Sequence, residues 1–311
     1  MSVERAAALI RAGKLVAFPT ETVYGLGANA LDPAAVARIF EAKGRPRTSP
    51  LIVHVDSVEM ARSLTSRWPD AAETLARRYW PGPLTLVLPK RRPSGADSGA
   101  GLPACPPCIP DIVTAGLPTV ALRMPAHPLA LELIRAAGVP IAAPSANRFS
   151  ELSPTTAAHV PEALAHYVLD GGPARVGIES TVLSLVDAPT LLRHGVIPLP
   201  EIESLIGPVQ LAAAPDAGSH ESPGMHPRHY CPATPLLLLA AGDPTPAGNG
   251  EWLRIGREMP ATAREYAAAL YETLHRLDGR GLAWIAVERP PETPEWAGVL
   301  DRLRRAATVL H

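Results

Sequence analysis

The chain has 311 residues, of which 47% are hydrophobic and 19% charged, and its 29 basic and 30 acidic side chains give a net charge of −1. This composition is typical of a globular protein with a sizeable core, and the length predicts two domains. No run of Lys or Arg is long enough to follow a nucleic-acid backbone and no apolar run approaches a transmembrane span, so we expect neither tight nucleic-acid binding nor a membrane protein.

Strand and helix patterns alternate through the first part of the chain. Strands are predicted at 15–18, 51–55, 84–88, 119–123, 140–143, 167–170 and 181–186, and helices at 3–12, 33–43, 71–79, 128–137 and 155–164. Pro33 suits a first helical position, with Asp32 as its N-cap. This alternation predicts an α/β fold in which helices pack on a layered sheet.

A segment rich in proline and glycine follows this alternating part. Residues 208–235 show no sustained hydrophobic period and contain many helix breakers, so we interpret them as an interdomain linker. Beyond it, a strand at 236–240, a helix at 263–277, a strand at 282–287 and a last helix predict a small α/β domain. The predicted organisation is a first domain over 1–207, a linker over 208–235 and a C-terminal domain over 236–311.

Four polar side chains follow the first predicted strand, in the segment FPTETVYGLGA. They are Thr20, Glu21, Thr22 and Tyr24. A turn requires a glycine or two, but it does not require this many hydrogen-bonding side chains beside an apolar strand. The segment therefore predicts a binding corner.

A pair of cations lies at the end of helix 33–43. Lys43 falls in the last turn, where a cation complements the helix dipole, and Gly44 is a natural C-cap. Arg45 follows in what we expect to be an exposed loop, with Ser49 before the next strand. The dipole explains Lys43 alone, whereas cations and a hydroxyl in one loop suit a polyanion such as a triphosphate.

Two further strands carry polar residues with alternative interpretations. His54, inside LIVHV, is either a satisfied core histidine or a functional one. Arg123 shares a strand face with Thr119 because side chains alternate with a period of two. An arginine on a buried face requires an anion, which is either an internal carboxylate or a substrate carboxylate or phosphate.

Polar loops follow two later strands. Ser145, Asn147 and Ser153 come after strand 140–143, and Ser180 follows a glycine-containing loop. Ser and Asn are common in ordinary turns, but loops at strand ends are also where α/β sheets hold ligands. No G-x-x-x-x-G-K-[ST] motif occurs, so a nucleotide would not bind through a P-loop.

In order and spacing, several segments resemble the threonylcarbamoyl-adenylate synthases of the YrdC-like family. The segments are FPTETVYGLGANA, KGRPRTSPLIVHV, TVALRMP, PSANRFSELSPT, GIESTVL and LLRHGVI. Lys43 with Arg45 matches the family's K-x-R pair, and Ser145 with Asn147 matches its S-x-N. The linker segment SPGMHPRHYCP resembles the longer, two-domain form. The resemblance implies a twisted mixed sheet with helices on both faces and a small Rossmann-like α/β C-terminal domain.

The resemblance also implies a reaction. L-threonine, bicarbonate or CO₂, and ATP with Mg²⁺ give L-threonylcarbamoyladenylate and pyrophosphate, and a tRNA threonylcarbamoyl-transferase complex uses this product to modify adenosine 37 of tRNA. Implied threonine-binding residues are Thr22, His54, Arg123, Ala143 and Ser180. Implied ATP-binding residues are Arg45, Ser49, Thr119, Ser145, Asn147, Ser153, Arg193 and Tyr230. Lys43 and Arg45 are the implied catalytic residues, and no residue is expected to ligate a resident metal.

The two expected anions, a carbamate and a triphosphate, must approach each other, which requires fixed cations and Mg²⁺ to offset their repulsion. The sequence shows no convincing general base, so positioning is expected to carry most of the catalysis. A linker that closes over the cleft, with Tyr230 on the nucleotide, would protect the labile carbamate from water.

Two features depart from the family. The loop at 91–107 is longer than usual and leads into Cys108, with Cys105 inside it. We interpret it as an inert surface insertion; the alternative is a metal clip completed by Cys231 and His229. The C-terminal domain is shorter than usual, which puts any regulatory role of that domain in doubt.

Three cysteines, an odd count, argue against a disulfide framework, and the charged segment MSVERAAALIRAGK argues against a signal peptide. We therefore expect a cytoplasmic protein. Two other functions stay open at this point: a double-stranded RNA-binding module, and a carbamoyl-transfer domain like that of hydrogenase-maturation proteins. The balanced charge disfavours the first, and the missing acylphosphatase and zinc-finger segments disfavour the second.

Overall fold

The computed structural model describes residues 2–92, 108–212 and 230–308. Its α-helices are α1 (Val3–Arg11), α2 (Pro33–Lys43), α3 (Val58–Ser63), α4 (Asp70–Tyr79), α5 (Asp111–Thr114), α6 (Pro128–Ala137), α7 (Leu199–Ile206), α8 (Ala263–Asp278) and α9 (Ala297–Ala306). Its strands are β1 (Val16–Phe18), β2 (Gly25–Asn29), β3 (Ile52–His54), β4 (Leu84–Pro89), β5 (Thr119–Arg123), β6 (Ile141–Ala142), β7 (Tyr167–Val168), β8 (Thr181–Ser184), β9 (Thr190–Arg193), β10 (Gln210–Leu211), β11 (Leu236–Leu239), β12 (Gly250–Leu253) and β13 (Trp284–Glu288).

One mixed sheet contains the described strands β1 to β10, in the order β10-β9-β8-β4-β5-β3-β6-β2-β1-β7. β3 and β5 are parallel, as are β4 and β8, whereas β4 and β5 are antiparallel. β2 is antiparallel to both β1 and β6. This mixed sheet is the architecture that the sequence predicted.

Helices pack on both faces of the sheet because the strand residues alternate between two cores. Along β1, Val16 and Phe18 pack in a cluster with α1 and α6, whereas Ala17 packs in the larger cluster with α2 and α4. Ile52 and Ala121 lie on the sheet face that α1 and α6 cover. They pack in a separate small apolar cluster on the other half of that face. The functional pocket lies against that half.

The C-terminal part has its own parallel sheet, ordered β11-β13-β12, as expected of a small Rossmann-like domain. The core under α8 and α9 also contains Val23, Leu152 and Ile178 from the first part of the chain, so the two parts share a continuous apolar interface. At Gly298 in α9, a Cβ atom would lie 2.3 Å from the carbonyl oxygen of Gly195. Only glycine permits α9 to approach the first part this closely.

The sequence prediction of a helix at 155–164 is wrong. The structure has only a short 3-10 helix there, Ala157–His159, and Val160 has extended backbone angles. Pro161 explains the difference, because a proline disfavours helical geometry at the residue before it and lacks the N–H that a helix interior needs.

The strand β2 was not predicted, because its sequence GLGAN looks like a glycine-containing loop. A Cβ atom at Gly27 would lie 2.8 Å from the ring of Phe18 and from the side chain of Ile141. Glycine therefore serves packing between neighbouring strands at this position rather than a turn.

Some predictions fall on residues that the structure does not describe. Cys105 and most of the loop at 91–107 lie outside the described residues, as do His229 and the greater part of the linker. The metal clip and the closing linker therefore stay predictions, and so do the domain boundaries 1–207, 208–235 and 236–311. In the described part of the chain, no helix is long and apolar enough to cross a membrane.

Candidate active site

A concave pocket, partly open to solvent, lies on the sheet face beside the small apolar cluster. Eight of the predicted site residues line it: Thr22, Arg45, His54, Arg123, Ala143, Ser145, Arg193 and Tyr230. They come from separate strands and loops, and the fold brings them together as predicted. Thr20 and Glu179, which were not among the predicted contacts, line it as well. Convergent polar groups in a concave site are typical of small-molecule binding.

The polar turn after β1 is organised by one hydroxyl. The Oγ1 atom of Thr20 donates to the carbonyl oxygen of Val23 at 2.6 Å and accepts from the backbone N–H groups of Thr22 and Val23 at 3.2 Å each. It also lies 2.8 Å from the hydroxyl of Thr22. Both threonines are buried, so Thr22 is held in a fixed orientation at the pocket wall.

Tyr24 anchors this turn from behind. Its hydroxyl donates to the carbonyl oxygen of Gly172 at 2.8 Å and accepts from the N–H of Gly171 at 3.1 Å. Burial raises the pKa of Tyr24 to about 12. The residue is therefore a neutral structural tie between the turn and the loop after β7.

Arg123 has an internal anion. Its Nη2 atom lies 2.7 Å from Oε1 of Glu21, and both side chains are buried. The other carboxylate oxygen of Glu21 accepts from the N–H of Ala126 at 2.9 Å, and Arg123 Nε donates to the carbonyl oxygen of Gly82 at 3.2 Å. The internal salt bridge that the sequence left open is present, and Arg123 still borders the pocket.

His54 is a buried, neutral residue of the pocket wall. Burial, reinforced by the charge of Arg123, lowers the pKa of His54 to about 3. Its ring packs edge-on against Phe18, with 5.8 Å between centroids. Among the described residues, the buried Nδ1 atom has no hydrogen-bond partner. Because buried polar atoms usually have a partner, this nitrogen is a polar group that the described contacts leave unexplained.

Lys43 fastens a loop instead of lining the pocket. Its Nζ atom donates to the carbonyl oxygen of Ser145 at 2.6 Å and to the carbonyl oxygen of Asn147, and lies 3.5 Å from Oδ1 of Asn147. Asn147 extends this hydrogen-bond network, because its Nδ2 donates to the carbonyl oxygens of Arg148 and Glu151 at 2.9 and 2.8 Å. Lys43 and the Ser145–Asn147 segment thus form one structural unit that sets the position of Ser145.

Arg45 faces the pocket from a loop that is buried, so the expectation of an exposed arginine is wrong. The side chain is 7% exposed. Its Nη2 donates to the hydroxyl of Ser49 at 2.5 Å and to the carbonyl oxygen of Pro50 at 3.1 Å. Burial lowers the pKa of Arg45 to about 10, which leaves the group charged at neutral pH. Ser49 therefore positions Arg45 for an anion.

Arg193 is a further buried cation of the pocket, after Arg123 and Arg45. Its Nε donates to the carbonyl oxygen of Ser180 at 3.1 Å and its Nη2 to the hydroxyl of Ser180 at 3.1 Å. That hydroxyl also lies 2.7 Å from the hydroxyl of Thr85. Ser180 is thus placed behind the cation. Burial lowers the pKa of Arg193, but a guanidinium stays protonated in proteins.

Glu179 is a pocket residue that the sequence analysis missed. Its Oε1 accepts from the hydroxyl of Ser153 at 2.5 Å, and its Oε2 lies 2.7 Å from Nε of Arg302 in α9. Burial opposes ionisation, but Arg302, Arg193 and the Ser153 bond together lower the pKa of Glu179 below its ordinary value. The signals in the sequence were its position beside Ser180 and its place in the segment GIESTVL.

Tyr230 closes one side of the pocket. It is 1% exposed and has a φ of 65°, in the left-handed region that is uncommon for residues other than glycine. The guanidinium carbon of Arg302 lies 5.4 Å from the centroid of its ring. Tyr230 lines the pocket, and its contact with a nucleotide stays a prediction.

Besides Lys43, five predicted residues lie outside the described pocket lining. Ser49, Asn147, Ser153 and Ser180 stand behind lining residues and hydrogen-bond to them or to their loops. Thr119 lies elsewhere, at the first residue of β5, in a groove with Asp187 and Thr190. Since Arg123 ends the same strand, the predicted contacts at Thr119 and Arg123 are separated by the length of β5.

Residues 8–195 match the family described as Telomere recombination, and residues 197–308 match the family described as Threonylcarbamoyl-AMP synthase, C-terminal domain. A threonylcarbamoyl-AMP synthase of Pyrococcus abyssi is 42% identical over 97% of this chain and 93% of its own length. That of Bacillus subtilis is 41% identical over 98% of this chain and 92% of its own length.

Solved structures give the same result. The crystal structure of P. abyssi Sua5 complexed with L-threonine has a TM-score of 0.88 and 41% identity, over 98% of this chain and 94% of that chain. T. kodakarensis HypF has a TM-score of 0.51 at 20% identity over 63% of this chain, which shows a shared fold alone. The resemblance found in the sequence is confirmed, and the chain belongs to the threonylcarbamoyl-AMP synthase family.

Proposed function

We propose that this pocket joins L-threonine, bicarbonate or CO₂, and ATP into L-threonylcarbamoyladenylate and pyrophosphate. An oxygen of the threonine carbamate attacks the α-phosphorus of ATP, and the bond from that phosphorus to the pyrophosphate oxygen breaks. The observation that carries the proposal is the presence, in one pocket, of three buried arginines and a rigid polar turn. Similarity over nearly the whole length of a synthase supports it.

The proposed threonine end of the pocket is the wall made by Thr22, His54 and Arg123, with the backbone of Ala143 beside it. Arg123 offers a cation for the amino-acid carboxylate, and the Glu21 pair fixes its direction. The neutral ring of His54 offers a nitrogen that has no partner among the described residues. The P. abyssi relative was crystallised as a complex with L-threonine, which supports threonine as a substrate of this chain.

The proposed nucleotide end is the wall made by Arg45, Ser145, Arg193 and Tyr230. Two buried guanidinium groups suit the oxygens of a phosphate chain, because planar forks bind such oxygens in pairs. Ser49 and Ser180 orient these cations, and Asn147 and Ser153 support the neighbouring loop and carboxylate. In this proposal Arg45 touches the reacting phosphates, whereas the contacts of Lys43 favour a positioning role.

Mg²⁺ would enter with ATP. Within the described ranges, Glu179 is the one carboxylate lining the pocket, and Ser153 and Arg302 already occupy its oxygens. Among those residues, no group of three or more His, Cys, Asp and Glu side chains could hold a metal ion. The donor set therefore fits an ion held mainly by phosphate oxygens, which would neutralise charge on the triphosphate.

The product contains a reactive carbamate–phosphate anhydride. We propose that it passes to a tRNA threonylcarbamoyl-transferase complex, which places the group on N6 of adenosine 37. A cytoplasmic location remains a prediction. Of the alternatives, the carbamoyl-transfer domain is disfavoured because the similarity to threonylcarbamoyl-AMP synthases extends over both parts of the chain. Nothing in the contacts of the described residues favours the RNA-binding alternative.

The proposal is tested by incubating the full chain with ATP, Mg²⁺, L-threonine and bicarbonate and measuring pyrophosphate. We expect release that depends on both threonine and bicarbonate, with glycine in place of threonine as the matched control. Release of equal size without threonine would contradict the proposal.

A further inference from the structure

An arginine of the C-terminal domain contacts a carboxylate of the proposed active site. Arg302, on α9, is 1% exposed, and its Nε and Nη2 atoms donate to Oε2 and to the carbonyl oxygen of Glu179 at 2.7 and 3.3 Å. Its Nη1 donates to the carbonyl oxygen of His194 at 2.8 Å and to Oδ2 of Asp301 at 2.8 Å. The guanidinium therefore binds two segments of the first domain at once.

Two tyrosines extend this network. The hydroxyl of Tyr271, on α8, donates to Oε2 of Glu179 at 3.3 Å. Its ring lies 5.9 Å from that of Tyr230, and the guanidinium carbon of Arg302 lies 5.4 Å from the centroid of the Tyr230 ring. All three side chains from the linker and the C-terminal domain are buried. Tyr230 is thus packed between Arg302 and Tyr271, on the pocket side of the interface.

Because Glu179 is negatively charged, its contact with Arg302 affects the binding of an anionic substrate. Glu179 lines the pocket, and its lowered pKa means that it carries a negative charge at neutral pH. A phosphate chain bound at Arg45 and Arg193 would be repelled by an uncompensated carboxylate in a medium of low dielectric constant. Arg302 compensates that charge from the side facing away from the cleft.

We propose that Arg302 and Tyr271 are positioning residues of the nucleotide site: they neutralise and hold Glu179 and fix Tyr230 at the pocket wall. The inference rests on the proposed function, because it assigns a nucleoside triphosphate to this wall. It gives the short C-terminal domain a defined part in substrate binding. A purely structural interdomain bond would stabilise the fold without changing the affinity for ATP.

The experiment compares the full chain with Arg302→Met, Arg302→Lys, Glu179→Gln and the double variant Glu179→Gln/Arg302→Met. KM and kcat for ATP and for threonine are measured from pyrophosphate release, and unfolding temperatures are measured alongside. Val299→Ala, one turn away on α9 and 1% exposed, is the control that weakens the same helix without touching Glu179.

Arg302→Met is expected to raise KM for ATP by about tenfold or more, because it leaves a buried carboxylate unpaired beside the nucleotide. KM for threonine should change less, and Arg302→Lys should restore part of the affinity. The double variant should bind ATP better than Arg302→Met alone, since it removes the uncompensated charge. Val299→Ala should lower the unfolding temperature and keep KM for ATP within about twofold.

The inference is overturned if Arg302→Met keeps KM for ATP within about twofold of the parent chain, or if the double variant is no better than the single one. If Arg302→Met does not fold, Tyr271→Phe takes its place, and an unchanged KM for ATP in that variant overturns the inference. If the parent chain releases no pyrophosphate, the proposed function fails separately. ATP binding by calorimetry then applies the same comparison, and equal affinities contradict the inference.

Discussion

The ammonium group of Lys43 lies 2.6 Å from the carbonyl oxygen of Ser145, which joins the C-terminal end of α2 to the loop after β6. The same group donates to the carbonyl oxygen of Asn147. A buried lysine that donates to backbone oxygens fixes a loop more directly than it serves an incoming substrate. The two residues of the K-x-R pair therefore have different roles: Lys43 holds a loop of the pocket in place, and Arg45 faces the pocket.

Lys43→Met should therefore raise KM for ATP and lower the unfolding temperature together, because the loop that carries Ser145 loses its anchor. Asn147→Ala should have a smaller effect of the same kind. The double variant is expected to cost less than the sum of the two, since both residues fasten the same loop. Steady-state kinetics and thermal unfolding measure this, and strict additivity would show that the two residues act independently.

Arg45→Ala should weaken ATP binding by about 1.5–3 kcal/mol, the typical value of a hydrogen bond to a charged group. It should also lower the free energy of unfolding, because the substitution removes bonds to Ser49 and Pro50 inside a buried loop. Arg47 is exposed on the same loop, so Arg47→Ala is the matched control with smaller effects on both. Urea unfolding and ATP titrations separate the two quantities. An Arg45→Ala protein with wild-type ATP affinity would show that Arg45 is only structural.

The buried His54 should make stability depend on pH. Its pKa is about 3 in the folded chain and about 6.5 when unfolded, so the unfolded state binds the proton more readily. Its contribution is fully present above about pH 6.5 and is lost progressively as the pH falls toward 3. Urea unfolding at pH 7 and pH 5 should show a steeper loss of stability in the parent chain than in His54→Asn. Equal losses would mean that His54 does not titrate in this way.

Tyr230→Ala should raise the ATP concentration needed for half-maximal rate and increase the ATP hydrolysed for each product formed. The reason is that Tyr230 lines the pocket and is held in a left-handed backbone conformation at its edge. Tyr230→Phe keeps the ring and should stay closer to the parent chain. Product and ADP or AMP are quantified by chromatography. Unchanged ATP dependence and coupling in Tyr230→Ala would mean that the residue is a passive spacer.

Most of the strands were predictable because buried strands carry runs of apolar residues that local sequence reveals, as in LIVHV around His54. The strand β2 escaped because its glycines are set by the ring of Phe18, which is a tertiary contact. The site was predicted through residues that the family resemblance marks. Glu179 was missed since its partner, Arg302, is far away in sequence and belongs to another domain. The burial of Arg45 likewise depends on packing that no local pattern shows.

The central claim is that this pocket forms threonylcarbamoyl-AMP, and isotope labelling tests it most directly. The full chain is incubated with ATP, Mg²⁺, L-threonine and ¹³C-bicarbonate, and the products are analysed by mass spectrometry and by a pyrophosphate assay. The account predicts threonylcarbamoyl-AMP that carries the ¹³C label, with pyrophosphate in equal amount, and loss of both when threonine is left out. Pyrophosphate formed without threonine, or an adenylate without the label, would contradict it.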